Sequence, residues 1–400
     1  MDPKRWSGRE VQKIGPKGTS RWSATLVGKE VRSVSATGTR APRAAAKAHA
    51  SAGEAGTALI KALRKKMLDD HVYLRPDAGV GELLFAMALP GGGPADNFDL
   101  SVDGETLFVG AGRGDPKAQV LRASLRGGAV ERFPVAPDPP YQQLFIHGAL
   151  LDSSGAAGIF GLNDVVRTLD FGTGTWGQIA SVRHRGQEHV NPFCVEPQRD
   201  AAHRRLLLVN GDHLEVREWA SGQVLLRAPI GTRTAECRRI ALSPSGALAA
   251  AYVASRRRIY NHDDARGDTT HEVQIWRVAD GVQVASVALR DDEDPPDRIA
   301  LTPDDRALLH DGGRRLTAID LATEARTPVL TDHDGAIWEW TPGGELAVFD
   351  GQALHRRAPP SFAATPDLPL EPQWPQRIRC APGVAVIGGA GLFCAYRMNW

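Results

Sequence analysis

Beyond residue 80 the apolar positions fall in short runs, broken at close intervals by Gly, Pro, Asp and Asn. Runs of this kind read as strands rather than helices. One unit recurs: a strand, a turn built on Ser or Thr with Pro or Asp close behind, and a second strand. It spans Asp99–Gly110, Ala241–Ala250, Ala300–Leu309 and Glu339–Val348, with a shortened copy at Arg379–Val386. Pro presets φ at the first corner of the turn and Gly or Asp takes the second, so the chain reverses tightly. The turn positions Ser101, Ser243, Thr302, Thr341 and Ala381 are separated by 142, 59, 39 and 40 residues. The first gap fits three units of about 47 residues, a propeller-blade period. Two weaker copies lie inside it, one at Gln143–Asp152 continuing to Ala157–Phe160, the other at Pro192–Pro197 followed by Leu206–Val209. The count is then seven.

Each unit has a second half of strand, Gly-containing or polar turn, and strand, seen in Glu215–Leu226, Val273–Ala285 and Leu316–Val329. Here the chain resembles the WD-repeat proteins. Ile275-Trp276-Arg277-Val278 and Ala318-Ile319-Asp320-Leu321 stand where that family has its Trp-Asp strand, although the Trp-Asp pair and the family's Gly-His dipeptide are both missing. The resemblance covers residues 80–400 and implies a mainly β fold, a seven-bladed β-propeller with four strands per blade. The last unit runs out at Trp400 after three strands, and a strand at residues 82–89 is expected to complete that blade, which removes the open edges of the sheet. An open β-sandwich pair, or a ring of six or eight blades, are the competing architectures.

The first 76 residues follow a different pattern. Ser20–Leu26 and Glu30–Ser35 alternate like strands around a turn at Val27–Glu30. From Ala52 to Leu68, the positions Ala55, Ala58, Leu59, Ala62, Leu63 and Met67 have helical spacing, with Lys61, Arg64, Lys65 and Lys66 on the other face and in the last turn. Residues 1–19 lack periodicity and are expected to be a mobile basic arm. Trp22, Val27-Gly28-Lys29, Gly38-Thr39, Ala44–Lys47, Ile60–Met67 and Asp70–Tyr73 together resemble a WGR domain, a small α+β module of poly(ADP-ribose) polymerases and bacterial multidomain proteins. The resemblance covers residues 20–76. The tripeptide that names the family is replaced by Val34-Ser35-Ala36. In the polymerases this module contacts a DNA end; in bacterial fusions it implies an adaptor within a multiprotein, ATPase-containing assembly.

Charge sharpens this division. The net charge is only +1, yet residues 1–76 hold 16 Lys/Arg against 6 Asp/Glu, a formal +10, leaving 32 against 41, a formal −9, for the remainder. A basic segment on an acidic body suggests two parts with different partners. Apolar residues at 42% and charged residues at 24% are ordinary for a globular chain. No apolar run is long enough to cross a membrane, and MDPKRWSGRE has no apolar stretch of a secretory leader. Four scattered cysteines (Cys194, Cys237, Cys380, Cys394) form no disulfide framework, so a cytoplasmic, bacterial protein is expected, the Ala- and Arg-rich usage pointing to a GC-rich genome.

Candidate sites follow from chemistry. Arg32, Arg40, Arg43, Lys47, Lys61, Arg64, Lys65 and Lys66 form a basic set suited to phosphates and, with Trp22 as a further candidate contact, are the basis of a nucleic-acid-sensor reading. Arg256, Arg257 and Arg258 oppose Asp291, Asp292, Glu293 and Asp294 on expected blade loops and are candidate partner contacts. Asn261-His262-Asp263-Asp264 and His271 lack the spacing of a known metal-ligand set and read as a solvated loop. No nucleophile elbow, phosphate loop, dinucleotide fingerprint or zincin motif is present. A hydrolase or lactonase reading rests on the spaced carboxylates Asp99, Glu196, Asp297 and Glu339, which a propeller channel would bring together with a metal. The expectation favoured here is a non-enzymatic scaffold with neither metal nor cofactor, whose partners are other proteins.

Overall fold

The computed structural model describes residues 1–400 apart from 17, 90–94, 112–117, 136–145, 163–164, 182–195, 231–234, 257–268, 291–292, 332–334, 365–366 and 372–373. Among the described residues six sheets of four or five antiparallel strands follow one another as blades. They span Phe98–Pro134, Ile146–Ser181, Gln198–Pro229, Ala235–Ala288, Arg298–Thr331 and Ile337–Pro369. The first five are meanders in which every strand pairs with its neighbours in the chain, and in the sixth the short strands Ala363–Ala364 and Leu368–Pro369 both pair with Ala353–Ala358, so each blade forms locally. The result is a β-propeller.

The turn between the first two strands of a blade explains why the repeat is legible. The hydroxyl of Ser101 accepts the Thr106 amide at 2.9 Å, and Ser243 and Thr302 do the same for Leu248 at 3.1 Å and Ala307 at 2.9 Å. In the two weak copies a carboxylate replaces the hydroxyl: Asp152 accepts from Ala157 at 3.1 Å and Asp200 from Arg205 at 3.1 Å. Each of these turns, and the one in which Thr341 accepts the Glu345 amide at 3.1 Å, also needs one residue in the left-handed region, taken by Gly104, Gly155, His203, Gly246, Asp305 and Gly344, with Gly383 in the last copy. At Gly104 the demand is doubled, since a Cβ there would lie 2.8 Å from Val384 Cγ1.

The last repeat corrects the expectation of seven matching blades. Its strands, Arg377–Ala381, Val384–Gly389 and Leu392–Arg397, belong to a nine-stranded sheet rather than to a separate four-stranded one. The fourth strand, β6 (Leu83–Ala88), pairs with Leu392–Arg397, setting Ala86 opposite Cys394 and Ala88 opposite Leu392. All six residues of β6 are buried. The sheet then continues through β5 (Val72–Leu74), β1 (Glu10–Gly15), β2 (Gly18–Val27), β3 (Glu30–Thr37) and β4 (Arg43–Ala48). Extension occurs because β5 pairs with the outer edge of β6, Tyr73 opposite Ala86 and Leu74 opposite Phe85.

The described part of residues 1–19, expected to form an arm, supplies a strand to this sheet and a short helix packed beside it. The short helix α1 (Pro3–Trp6) buries Trp6, and Val11 of β1 is fully covered. Trp6 meets Tyr73 edge-on at 5.9 Å, Arg9 stacks over Trp6 at 4.6 Å, and Arg9 pairs with Glu371. The helix α2 (Ala52–Leu68) spans the predicted range. Ser51 caps it by accepting the Glu54 amide at 3.1 Å, while Glu54 reaches back to the Ala50 amide at 3.2 Å. Leu59, Leu63 and Met67 face Trp22 and Ala24 in a single core that also holds Leu354, Ile378 and Tyr396 of the propeller.

Because that core is shared, Leu59→Ala is expected to cost the whole chain about 2–5 kcal/mol. The loss should appear in one urea transition, coincident by circular dichroism and tryptophan fluorescence. Two separated transitions, with only one shifted, would show the N-terminal segment to be an independent unit.

Candidate functional site: the axial ion network

The first strands of successive blades pack against one another around the propeller axis, and in three repeats the residue two positions before the turn residue is charged. That position is Asp99, Glu339 and Arg379 in the first, sixth and last repeats. These repeats are neighbours around the ring, so the signs alternate: the inner strand carrying Arg379 lies between those carrying Glu339 and Asp99.

Asp99 is fully buried, and Arg199 clamps it with both prongs, Nε to Oδ2 at 2.7 Å and Nη2 to Oδ1 at 2.6 Å. The Leu151 amide adds a third donor at 3.0 Å. Arg379, only 7% exposed, lies 3.8 Å from Asp99 and donates to Glu339. Glu339 in turn accepts from Arg298 at 3.0 Å, whose guanidinium lies 4.0 Å above the Trp338 ring. The order Arg199–Asp99–Arg379–Glu339–Arg298 is a continuous alternating chain of charge. Beside it Arg377 donates to Glu196 Oε2 at 2.9 Å and to the Asp96 carbonyl at 2.9 Å.

The protonation states follow. Burial alone would raise the Asp99 carboxyl, but Arg199, by charge and hydrogen bonds, holds it well below the usual carboxylate range. Burial likewise works against ionised Glu339, and Arg298 and Arg379 outweigh it, bringing the group down to about 2. His203, at the left-handed turn position, is 3.0% exposed by residue, and its Nδ1 donates to the Leu151 carbonyl at 2.9 Å. Burial first and Arg199 second push its imidazole down to about 4, so it is neutral near pH 7.

Three of the four carboxylates singled out from the sequence therefore do meet at the axis, each held by arginine. Asp297 stands apart: its carbonyl accepts from Arg239 at 2.6 Å. This donor set does not fit a divalent ion, which would have to displace guanidinium groups from every carboxylate. Among the described residues no group of three or more His, Cys, Asp or Glu is placed to hold a metal. The metal site that the hydrolase reading would need is not formed by these three carboxylates. What the sequence reasoning missed were the four arginines, Arg199, Arg298, Arg377 and Arg379. Their signal was available: aligning the copies on the turn places Arg379 between Glu339 and Asp99.

The other candidates are scattered. Trp22 is buried beneath α2 and offers no ring to a base. Arg32 sits on the sheet face opposite α2, because it is paired with Thr25 rather than with the buried Trp22 or Ala24, and it contacts Glu30 at 3.3 Å. Arg43 and Lys47 pair with Ser35 and Val31, on the side of α2. Lys61, Arg64 and Lys65 are exposed on the helix, with Lys66 partly covered, and Arg40 is exposed in the turn before β4. The basic set is thus divided between two faces. Arg257, Arg258, Asp291, Asp292 and the 261–264 segment lie outside the described residues, as does Cys194. Arg256 ends a strand opposite Thr269. Glu293 is engaged internally by Arg326 at 2.8 Å and by the Arg290 amide at 2.8 Å, while Asp294 is exposed. His271 bonds to the Tyr252 hydroxyl at 2.6 Å. Burial raises the Cys380 thiol and takes Cys394 up to about 12, so neither is a nucleophile.

No protein-family model matches the chain, and no curated protein matches it in sequence. Neither the WD-repeat nor the WGR resemblance therefore has a family match behind it. Solved structures do match. A chain of a mitotic checkpoint complex shares 14% identity at a TM-score of 0.54, covering 82% of this chain and 97% of its own. Hydrazine synthase of Kuenenia stuttgartiensis gives 13% and 0.52, covering 78% of this chain and 97% of its own. The Swd1 β-propeller domain of Myceliophteria thermophila gives 11% and 0.52, covering 78% of this chain and 100% of its own. At these identities the likeness concerns the fold alone.

Removing one member of the network leaves buried charge unpaired, so Arg379→Met is expected to cost about 3–5 kcal/mol in urea denaturation. Adding Glu339→Met should cost less than the two single losses combined, because the partners are coupled.

The pH dependence has a definite sign. A depressed histidine contributes stability that is complete above its ordinary value of 6.5 and is lost as the pH falls from there towards about 4. His71 and His310, both lowered by burial, act in the same direction. His203→Asn, which tolerates the left-handed backbone, should make the fall in thermal midpoint across this window shallower. An unchanged slope would remove His203 from the account.

Proposed function

We propose that this chain is a non-enzymatic protein-interaction scaffold whose contacts lie on the rim of the propeller and on its N-terminal sheet extension. The observation that carries the proposal is the arginine-held state of Asp99, Glu196 and Glu339: the groups best placed for chemistry are committed to structure. In the finer form of the proposal, β6 and the last three strands act as a seventh blade, closing the ring. Two of the neighbours by fold are a mitotic checkpoint complex chain and a Swd1 propeller domain, which suits an interaction role. Residues 20–76 are proposed as a WGR-like module, and the protein as an adaptor of a bacterial, cytoplasmic assembly with an ATPase among its components. Among the described residues no helix is long and apolar enough to cross a membrane.

The test is chemical cross-linking of the tagged full chain in its native host, read by mass spectrometry. The expected result is a protein recovered in stoichiometric amount, with cross-links to propeller loops and none to channel residues. Metal-dependent turnover of an ester or lactone by the purified chain, abolished in Glu339→Gln, would overturn the reading.

A further inference from the structure

Among the described residues β4 is the only strand longer than two residues that is exposed at every position. It is also the terminal strand of the nine-stranded sheet, paired with β3 on one side and with nothing on the other. Its free side therefore presents a row of backbone N–H and C=O groups, a template for another strand. By contrast, the described outer blade strands of comparable length all keep at least one position covered or partly covered.

The side chains leave that edge open. Four of the six residues, Ala44, Ala45, Ala46 and Ala48, project no more than a methyl group on either face. The remaining two are Arg43 and Lys47. Lys29, whose carbonyl accepts the His49 amide at 2.9 Å, stands at one end of the strand, and Arg40 at the other. All four cations are exposed and form no ion pair among the described residues. No carboxylate lies on β4 itself.

We propose that β4 is a docking edge for an acidic, extended segment of a partner protein, which adds to the sheet as a tenth strand. The inference rests on the scaffold reading and names the surface that reading requires. Backbone pairing supplies the register and affinity, and Arg40, Arg43 and Lys47 select for carboxylates at alternate positions. A second copy of this chain fits poorly, since joining two β4 edges sets Arg43 and Lys47 of one against those of the other. A nucleic acid cannot continue a peptide ladder, and Trp22, the aromatic residue of the candidate nucleic-acid set, is buried.

The test uses the full chain and a fluorescein-labelled ten-residue peptide of alternating Glu and Val, with binding read by anisotropy. Controls are an alternating Glu-Pro peptide, which keeps the charge but cannot pair as a strand, an alternating Lys-Val peptide, and a 20-nucleotide single-stranded DNA. The Glu-Val peptide is expected to bind at least tenfold more tightly than each control. The double variant Arg43→Glu with Lys47→Glu, its thermal midpoint unchanged, should reverse the preference towards Lys-Val. Of Ala45→Pro and Ala46→Pro, one removes an outward N–H and the other a ladder N–H; the variant that keeps the wild-type midpoint should still lose at least tenfold in peptide affinity. Equal binding of Glu-Pro, tighter binding of DNA, or no peptide binding at all overturns the proposal. Should these fail while rim cross-links to a partner persist, the edge is wrong and the scaffold stands; loss of both overturns both.

Discussion

The blades converge on an axis where the inner strands bring charged side chains together, and those that are buried there, Asp99 and Arg379 above all, must be satisfied by one another. An isolated buried carboxylate is costly, and so is an isolated buried guanidinium. The chain meets this constraint by alternation. Arg379 lies between Glu339 and Asp99, and Arg298 and Arg199 complete the series at either end. Such a network is weak evidence for high stability, since apolar side chains of similar volume often serve as well. Its specific effect is on arrangement. Arg379 reaches Glu339 on one side and Asp99 on the other, so charge as well as chain connectivity favours the order of the last repeats around the ring.

The same convergence sets the protonation states of the groups along the axis. A general acid needs a proton at working pH, and Asp99 and Glu339 are held ionised by their arginines. His203 is neutral, its Nδ1–H donated to the Leu151 carbonyl. Propellers commonly present loops and edges for binding from a rigid ring.

The sequence exposed the repeat because one local device recurs: a side-chain oxygen accepting an amide four or five residues on, and a left-handed residue at the second corner. It exposed α2 through the spacing of Leu59, Leu63 and Met67 and the cap at Ser51. The copies with Asp152 and Asp200 looked degenerate because the same hydrogen bond is made by a carboxylate. Sheet membership was not legible. Nothing local tells Glu10–Gly15 to pair with Val72–Leu74, or β5 to pair with β6; those partners are set by Trp6, Trp22 and α2 packing against the closing strands. The arginines of the axis were hidden for a related reason. Their partners lie one or more repeats away, as with Arg199 and Asp99, and the relation appears only when the copies are superposed.

The pairing of β6 with Leu392–Arg397 has a consequence for synthesis. During translation β6 emerges early, and its partner follows some three hundred residues later. Each intervening blade is a local meander able to form as it leaves the ribosome, whereas β6 waits with one edge bare. Pairing with β5, and through it with β1 and α2, covers its other edge from the outset. The N-terminal sheet thus serves the nascent polypeptide as a built-in guard, halving the unpaired surface that β6 offers to neighbouring chains on the polysome until the circle is complete.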